Sequence, residues 1–357
     1  MSISLPLFCG SMIPLNRITR NTEEIVTEDE LKAVIKEKEK PSAYIGIEPS
    51  GLVHIGSIIC FDKVKDLLDC GFTVTVLLAD WHAYLNDKLG GDIENIRACG
   101  EYLKDCFYAM GIESEDLKFV YAADLLDNID YWEKVLRISK KSSLSRIKRT
   151  LTIMGRKEDE VDMDASMLIY PAMQVADIFQ LDVDIAYGGM DQRKAHMLAR
   201  DVSEKLGWKK VVALHTPLLS GLSGGGRMDP IEAKMSKSNP ENSIFIHDTE
   251  EDIKRKITKA YCPEGDVMDN PVLEICRYII FNRIDKFTIS RPEKFGGDLE
   301  IKNYDELVEI FEAKKLHPQD LKNSTAHHLS KILEPVRAYF EKHPENYEKV
   351  KLIDVTR

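Results

Sequence analysis

The chain has 357 residues, of which 43% are hydrophobic and 31% charged, so it can bury a substantial core and should divide into about two domains. Its longest apolar stretches, such as 72–79, are far below the roughly 20 residues that cross a bilayer. The N-terminus also lacks a basic-then-apolar signal pattern. These features exclude a membrane-spanning protein and favour a cytoplasmic location.

The seven cysteines form an odd set without a Cys-x-x-Cys pair, which favours reduced, buried thiols over a disulfide framework or a zinc site. The net charge of −11 argues mildly against a nucleic-acid binder. Segment 131–157, however, holds nine basic residues against one acid. That run is equally compatible with a solvated helix face and with a surface for RNA or a partner.

Strands and helices alternate in the first two thirds of the chain. The predicted strands are 43–47, 72–78, 117–121, 183–186 and 211–214, and the predicted helices are 55–68, 96–110, 171–179 and one from residue 191. This alternation predicts an α/β fold of the Rossmann type, with a parallel sheet, helices on both faces and a ligand site at the carboxyl ends of the strands.

A glycine-rich segment, 220–226, is predicted to be too flexible for a core element and to act as a mobile lid, within a loop of about 220–240. After residue 249 the pattern becomes helical, with amphipathic stretches 251–259, 272–281, 304–314 and 329–340. We therefore predict a catalytic domain over 1–247, with a connective or interface insertion at about 130–175, and an all-helical domain over 248–357.

Two short motifs suggest nucleotide chemistry. His54-Ile55-Gly56-Ser57 begins a helix, where free amide hydrogens and the helix dipole favour an anion, but this motif alone is more often structural. Lys234-Met235-Ser236-Lys237-Ser238 is more specific, because it places two ammonium groups and two hydroxyls on a loop able to close over a polyphosphate. The stronger evidence for a nucleotide site is that both motifs occur together, in this order and in this strand–helix pattern.

The pair resembles the two signatures of the class I aminoacyl-tRNA synthetases. The surrounding sequence is similar to the archaeal and eukaryotic type of tyrosyl-tRNA synthetase at 44–51, 77–86, 170–177, 188–194, 259–263, 291–297 and 317–322. The resemblance thus covers nearly the whole chain from about residue 21. It implies an α/β catalytic domain followed by a helical domain that binds the anticodon. The first motif departs from the family pattern, since Ser57 stands where a second histidine is usual.

The resemblance implies a pocket for tyrosine. Tyr44 and Asp177 match the positions that hold the phenolic hydroxyl, one as donor and the other as acceptor. Tyr170, Gln174 and Gln192 match positions that hold the substrate's ammonium group. Tyr170, Gln174 and Asp177 share one helix face, and Gln192 is expected to meet that face from a different helix.

Glu48 and His82 should also border the tyrosine pocket, because both follow predicted strands. For each, a turn or network residue is a serious alternative. Asp177 on its own would more often be an exposed or capping carboxylate, and only the surrounding motif favours the pocket.

The implied reaction has two steps: the tyrosine carboxylate attacks ATP to give tyrosyl adenylate, and a ribose hydroxyl of tRNA(Tyr) then takes the tyrosyl group. Catalysis of this kind depends on positioning and on neutralising phosphate charge. The resemblance assigns these roles to His54, Ser57, Lys234 and Lys237. It adds Gly46, Gly56, Met235, Ser236 and Ser238 to the ATP site. Mg²⁺ is expected to be carried with ATP, without assigned protein ligands.

For tRNA, the resemblance points to Arg193 near the acceptor stem and to Phe295 and Asp320 near the anticodon. An aromatic face stacks on an unpaired base, and a carboxylate accepts from a base edge. The alternatives are a core role for Phe295 and a helix N-cap role for Asp320. Relatives are homodimers, so part of the basic run is expected at a subunit interface.

Three rival functions remain on sequence alone. A tryptophanyl-tRNA synthetase shares the fold and both signatures, but an indole does not call for both a donor and an acceptor at Tyr44 and Asp177. Nucleotidylyltransferases with a similar first motif are shorter and lack the helical domain. A binding paralogue that has lost catalysis is disfavoured by intact Lys234 and Lys237.

Overall fold

The computed structural model describes residues 14–155, 164–224 and 234–353 of the chain. Arg156 and Lys157 of the basic run lie outside these ranges, as do residues 225–233, which include the end of the glycine-rich segment. No helix within the described ranges is both long and apolar enough to span a membrane.

The α-helices of the described ranges are α1 (Leu15–Thr19), α2 (Glu28–Glu37), α3 (Gly56–Asp69), α4 (Asp80–Leu85), α5 (Ile93–Ala109), α6 (Ala122–Leu126), α7 (Ile129–Lys141), α8 (Leu144–Thr150), α9 (Tyr170–Gln180), α10 (Arg193–Leu206), α11 (Glu250–Lys259), α12 (Pro271–Ile275), α13 (Tyr304–Glu312), α14 (Pro318–Lys342) and α15 (Glu345–Lys351). Short 3₁₀ turns occur at Lys88–Gly91, Leu151–Met154, Ala165–Leu168, Met190–Gln192, Pro240–Asn242 and Glu293–Phe295. A π-helical turn, Cys276–Ile280, continues α12.

The main sheet has six strands: β1 (Glu24–Val26), β2 (Ser42–Ile47), β3 (Thr73–Leu78), β4 (Leu117–Tyr121), β5 (Ile185–Gly189) and β6 (Val212–Thr216). Their order is β1-β6-β5-β2-β3-β4, and all neighbours are parallel except β1 and β6. The predicted parallel sheet is confirmed. The antiparallel edge strand β1 was not predicted.

The strand order fixes where a ligand can bind. The chain builds β2, β3 and β4 towards one edge, then returns to add β5 and β6 on the other side of β2. The connections therefore diverge between β2 and β5, which opens a crevice at the carboxyl ends of these two strands.

The two faces of the sheet bury separate sets of side chains. Ala43 and Ile45 of β2 face one layer, with α3, α5 and the C-terminal helices, in one continuous apolar cluster. Tyr44 points to the opposite face, where it packs with α7, α9 and α10. This alternation along a strand is what directs the Tyr44 ring towards α9, the helix that carries Asp177.

The C-terminal region is predominantly helical, as expected, with one addition. A two-stranded antiparallel sheet pairs β7 (Phe287–Ile289) with β8 (Leu299–Ile301). The prediction of an all-helical C-terminal domain is therefore corrected to a mainly helical region that contains this small sheet. Strands of three residues carry too little alternation to stand out in a sequence.

The glycine-rich segment also differs from expectation. Leu222 is buried, and its backbone N–H donates to the Asn242 carbonyl oxygen at 3.0 Å. Ser220 forms an isolated bridge with Lys234. The described start of the segment therefore belongs to the core, because Leu222 is anchored to Asn242 despite the glycines around it.

Candidate active site

A cavity of about 330 Å³ lies at the carboxyl ends of β2 and β5. Most of its lining comes from distant parts of the chain, at 44–61, 170–192, 216–219 and 234–237. Twelve of the predicted site residues line it: Tyr44, Gly46, Glu48, His54, Gly56, Ser57, Tyr170, Gln174, Gln192, Lys234, Met235 and Lys237. His82 and Asp177 are buried outside this lining, and Ser236 and Ser238, whose hydroxyls lie 3.0 Å apart, are also outside it.

Tyr44 provides a hydroxyl at the inner end of the cavity. Its side chain is 1% exposed, and a Cβ on Gly46 would lie only 2.8 Å from its hydroxyl oxygen, so the glycine is needed for the ring to lie there. Within the described ranges the Tyr44 hydroxyl has no hydrogen-bond partner in the protein, which leaves it available to a ligand. Burial, and next the Asp177 carboxylate, raise the Tyr44 pKa well above its usual value, so the group stays a donor.

Asp177 is held by two buried neighbours. Its Oδ1 accepts from the Tyr131 hydroxyl at 2.8 Å, and its Oδ2 lies 3.1 Å from His82 Nε2. A carboxylate has about four acceptor sites, so Asp177 can accept a further bond from a phenol. Sequence analysis missed Tyr131, because a tyrosine at helical spacing inside a basic run has no feature that marks it as functional.

The structure favours the network alternative for His82. The imidazole is fully buried beside Asp177, and neither ring nitrogen has a well-aligned hydrogen bond within the described ranges. Burial lowers the pKa of His82, but the Asp177, Glu48 and Asp80 carboxylates outweigh it and the net pKa is raised. A histidine that favours its charged form stabilises the Asp177 carboxylate.

Glu48 and the two glutamines form the polar mouth of the cavity. Glu48 accepts from the Tyr170 hydroxyl at 2.7 Å and from the Asn86 amide at 3.1 Å, so it is both a network residue and a cavity residue. Gln174 Nε2 donates to Gln192 Oε1 at 3.0 Å, which confirms that the two helices meet here. Gln174 Oε1 is buried without a partner in the described protein. An unpaired buried acceptor is costly, and a substrate ammonium would satisfy it.

His54 lies just before α3 and is a neutral hydrogen-bonding group. Its Nδ1 accepts from the Gly56 backbone N–H at 3.1 Å. Burial first, and then Lys237 and Lys234, lower the His54 pKa to about 3. The proton is therefore on Nε2, and His54 offers phosphate a donor rather than the positive charge that sequence analysis assigned to it.

Both lysines of the second signature line the cavity. Lys237 Nζ donates to Ser50 Oγ at 3.0 Å, and burial lowers its pKa to about 8. Lys234 Nζ pairs with Asp191 Oδ2 at 2.7 Å. Ser50 and Asp191 line the cavity and were missed, although both lie inside segments 44–51 and 188–194, which resemble the family.

The predicted tRNA contacts belong to three different elements of the fold. Arg193 begins α10 and donates twice to the Glu24 carboxylate, at 2.7 and 2.8 Å. Asp320 is in the first turn of α14, but the N-cap is His317, whose side chain accepts from the Gln319 N–H at 3.1 Å. The N-cap alternative for Asp320 is therefore wrong. Phe295 closes a 3₁₀ turn, and its side chain is outside the described part of the chain.

A family model described as tRNA synthetases class I (W and Y) matches residues 36–334. The tyrosine–tRNA ligase of Saccharolobus islandicus is 52% identical over 355 residues, covering 96% of this chain and 98% of the relative. That of Sulfurisphaera tokodaii is 53% identical over 337 residues, covering 92% of each chain.

Solved structures agree with these relatives. Tyrosyl-tRNA synthetase from Aeropyrum pernix superposes with a TM-score of 0.85 at 49% identity, covering 95% of this chain and 97% of its own. The Pyrococcus horikoshii enzyme, complexed with L-tyrosine, gives 0.88 at 42% identity, covering 94% and 99%. Tryptophanyl-tRNA synthetase from A. pernix gives 0.66 at 18% identity, which shows a shared fold only. The chain thus belongs to the class I tRNA synthetases and, within that class, to the tyrosine–tRNA ligase family.

Proposed function

We propose that this chain carries out the reaction of its family, the ATP-dependent attachment of L-tyrosine to tRNA(Tyr). In the first step a tyrosine carboxylate oxygen attacks the α-phosphorus of ATP, and the bond to the leaving pyrophosphate breaks. In the second step a ribose hydroxyl of the terminal adenosine attacks the activated carbonyl, and AMP leaves. No protein nucleophile is required in either step.

The observation that carries this proposal is that one cavity joins a buried hydroxyl to both nucleotide signatures. Tyr44 donates to the phenolic oxygen at the inner end, and Asp177, charged and held by Tyr131 and His82, accepts from the phenolic hydrogen. The unpaired Gln174 oxygen at the mouth accepts from the ammonium group. An indole N–H would use the acceptor and leave the Tyr44 donor unpaired, which disfavours tryptophan.

The phosphates lie between the two signatures in this proposal. His54 Nε2 and the Ser57 hydroxyl donate from the start of α3, and the Lys234 and Lys237 ammonium groups neutralise the negative charge. Substrate phosphates have to compete with Asp191 for Lys234 and with Ser50 for Lys237.

Mg²⁺ fits this site as part of the ATP complex. Within the described ranges no three His, Cys, Asp or Glu side chains are grouped to hold a metal ion. Phosphate oxygens and water would therefore supply most ligands of the ion, whose charge would add to that of the lysines.

We further propose a homodimer joined through α7 and α8. Helix α7 buries Tyr131, Val135 and Ile138 against the protein, yet it also exposes Ile129 (80%) and Leu136 (69%) on another face. At the start of α8, Leu144 is 61% exposed. A helix that is apolar on two faces is typical of one that packs against a second partner.

For tRNA, we propose that Arg193 contacts the acceptor stem and that Phe295 and Asp320 contact the anticodon, in a cytoplasmic enzyme. Arg193 lies next to Gln192 at the cavity rim, where an acceptor end would enter. Asp320 lies in the C-terminal helical region, on a helix that does not line the cavity.

ATP–pyrophosphate exchange with tyrosine, tryptophan and phenylalanine tests the amino acid assignment. We expect exchange with tyrosine, and discrimination against phenylalanine of about 10⁵, a value for which tyrosyl-tRNA synthetase is itself the reference case. Tyr44→Phe should lower kcat/KM for tyrosine about 10- to 100-fold, because only a hydroxyl is lost, and should affect phenylalanine far less. Exchange with tryptophan but not tyrosine would contradict the assignment, and a lack of exchange with all three would indicate a binding paralogue.

A further inference from the structure

The residue before His54 is held on both sides by groups outside the cavity. The Val53 backbone N–H donates to the Tyr102 hydroxyl oxygen at 3.1 Å. The Val53 carbonyl oxygen accepts from the Ile246 N–H at 3.1 Å. Tyr102 belongs to α5 and is completely buried. The orientation of the His54 backbone is therefore set by α5 on one side and by the segment at Ile246 on the other.

The hydrogen-bonded chain continues from Tyr102 into the C-terminal region. Tyr102 Oη lies 2.6 Å from His247 Nε2. Because the hydroxyl oxygen accepts from Val53 and lies 2.6 Å from His247, its hydrogen can be donated to the His247 ring. Burial first, and then Lys351, lower the His247 pKa to about 3, so the ring is neutral and Nε2 can accept.

His247 is fixed by the last two helices of the described chain. Its ring stacks on Tyr347 of α15 with 4.1 Å between ring centroids, and it meets Phe340 of α14 edge-on at 4.5 Å. Asn346 of α15 also donates to Asp105 of α5 at 2.9 Å. The C-terminal helices thus hold His247, which is the acceptor at the end of the hydrogen-bonded series Val53–Tyr102–His247.

We propose that Tyr102 and His247 are positioning residues for adenylate formation. Through the Val53 peptide they set the direction in which His54 Nε2 points towards the phosphates, and so make the first signature depend on the docking of α14 and α15. Neither side chain lines the cavity, and both act through the Val53 peptide rather than on the substrate. This inference rests on the proposed function of His54 as a phosphate donor.

The chain offers variants that separate positioning from packing. Tyr102→Phe and His247→Phe keep an aromatic ring and remove one hydrogen-bonding group each. His247→Gln restores an acceptor close to the position of Nε2. Tyr347→Phe is the matched control, because Tyr347 is in the same aromatic group and its hydroxyl has no hydrogen bond within the described ranges.

The test measures the pre-steady-state rate of tyrosyl-adenylate formation, with KM for tyrosine and for ATP from pyrophosphate exchange. Tyr102→Phe and His247→Phe should each slow adenylate formation about tenfold, with KM for tyrosine changed less than about twofold, since misplacing a donor by a fraction of an ångström affects the phosphate step alone. The double variant should be no slower than either single variant. His247→Gln should recover most of the rate, and Tyr347→Phe should match wild type.

Wild-type rates in both Phe variants, or a parallel loss of tyrosine affinity and rate, would overturn the inference while leaving the proposed function intact. A wild-type protein without exchange would overturn both. The melting temperature of each variant is measured as well. If Tyr102→Phe does not fold, the comparison of His247→Phe with His247→Gln tests the same hydrogen-bonded series at its His247 end.

Discussion

At the residue scale, the polar groups proposed to bind phosphate are of two kinds: neutral hydrogen-bond donors and charged lysines. His54 is neutral because it is buried beside two lysines, and Ser57 supplies only a hydroxyl. The phosphate charge must therefore be met by Lys234 and Lys237. Where Ser57 stands in place of the usual second histidine, a hydroxyl donor replaces an imidazole donor. The two cations, Lys234 and Lys237, are unaffected.

His54→Ala and Ser57→Ala should differ strongly. We expect His54→Ala to slow adenylate formation about 10²- to 10³-fold, as for other preorganised donors to a reacting oxygen. Ser57→Ala should slow it only about threefold, because a single neutral hydrogen bond is lost. Single-turnover burst measurements check both rates. Equal and negligible effects would mean that the first signature is a structural turn.

Lys237 should couple ATP binding to proton uptake. With a pKa of about 8, its ammonium is largely deprotonated at about pH 9, and bound ATP phosphates would raise that pKa again. ATP affinity should therefore fall as pH rises through about 8, with up to one proton taken up per ATP. Calorimetry in buffers of different ionisation enthalpy measures this uptake.

Two variants identify the group responsible for the proton uptake. Lys237→Arg, which stays charged, should abolish it. Lys234→Arg leaves Lys237 in place and should retain it. Equal uptake in wild type and Lys237→Arg would assign the proton to another group.

Most residues that line the cavity could be predicted from the sequence because they lie in short contiguous motifs. The remaining partners come from the tertiary fold. Tyr131 reaches Asp177 from another helix, and Tyr102 reaches Val53 across 49 positions. Such side chains have ordinary helical spacing, so only their positions in space reveal them.

At the scale of elements, the strands that carry the site were predicted because each is a short, largely apolar run followed by turn residues. β1, β7 and β8 were not predicted, since each has only three residues.

Most of the described part of the basic run lies in α7 and α8, and some of its charged side chains form ion pairs within the protein. Arg146, for example, donates to Asp201 at 2.7 Å. The apolar residues between these charges identify the face that we assign to a partner.

Leu136→Asp should weaken the proposed dimer. A charge placed at the centre of an apolar interface should raise the dimer dissociation constant about 30-fold or more, because the carboxylate would be buried on association. Sedimentation velocity over a range of protein concentrations measures the shift. Leu352→Asp is the matched control, since Leu352 is also an exposed leucine but lies after α15. A monomeric wild type, or an unchanged Leu136→Asp variant, would contradict the α7–α8 interface.

At the scale of the whole molecule, one apolar cluster runs from the sheet into the C-terminal helices. The predicted boundary between 1–247 and 248–357 directly follows segment 244–246, which pairs with 53–55, so the chain between the two regions is itself part of the site's framework. Sequence composition cannot show this, because linkers and short bridging strands have similar residues.

The most direct test of the proposed function is the product formed on tRNA. Purified protein is incubated with ATP, tRNA(Tyr) and an equal mixture of tyrosine, phenylalanine and tryptophan, and the ester on the terminal adenosine is identified by mass spectrometry. We predict tyrosyl ester alone, with AMP and pyrophosphate released in equal amounts to it. A tryptophanyl ester, or adenylate formation without any transfer to tRNA, would contradict the proposed function.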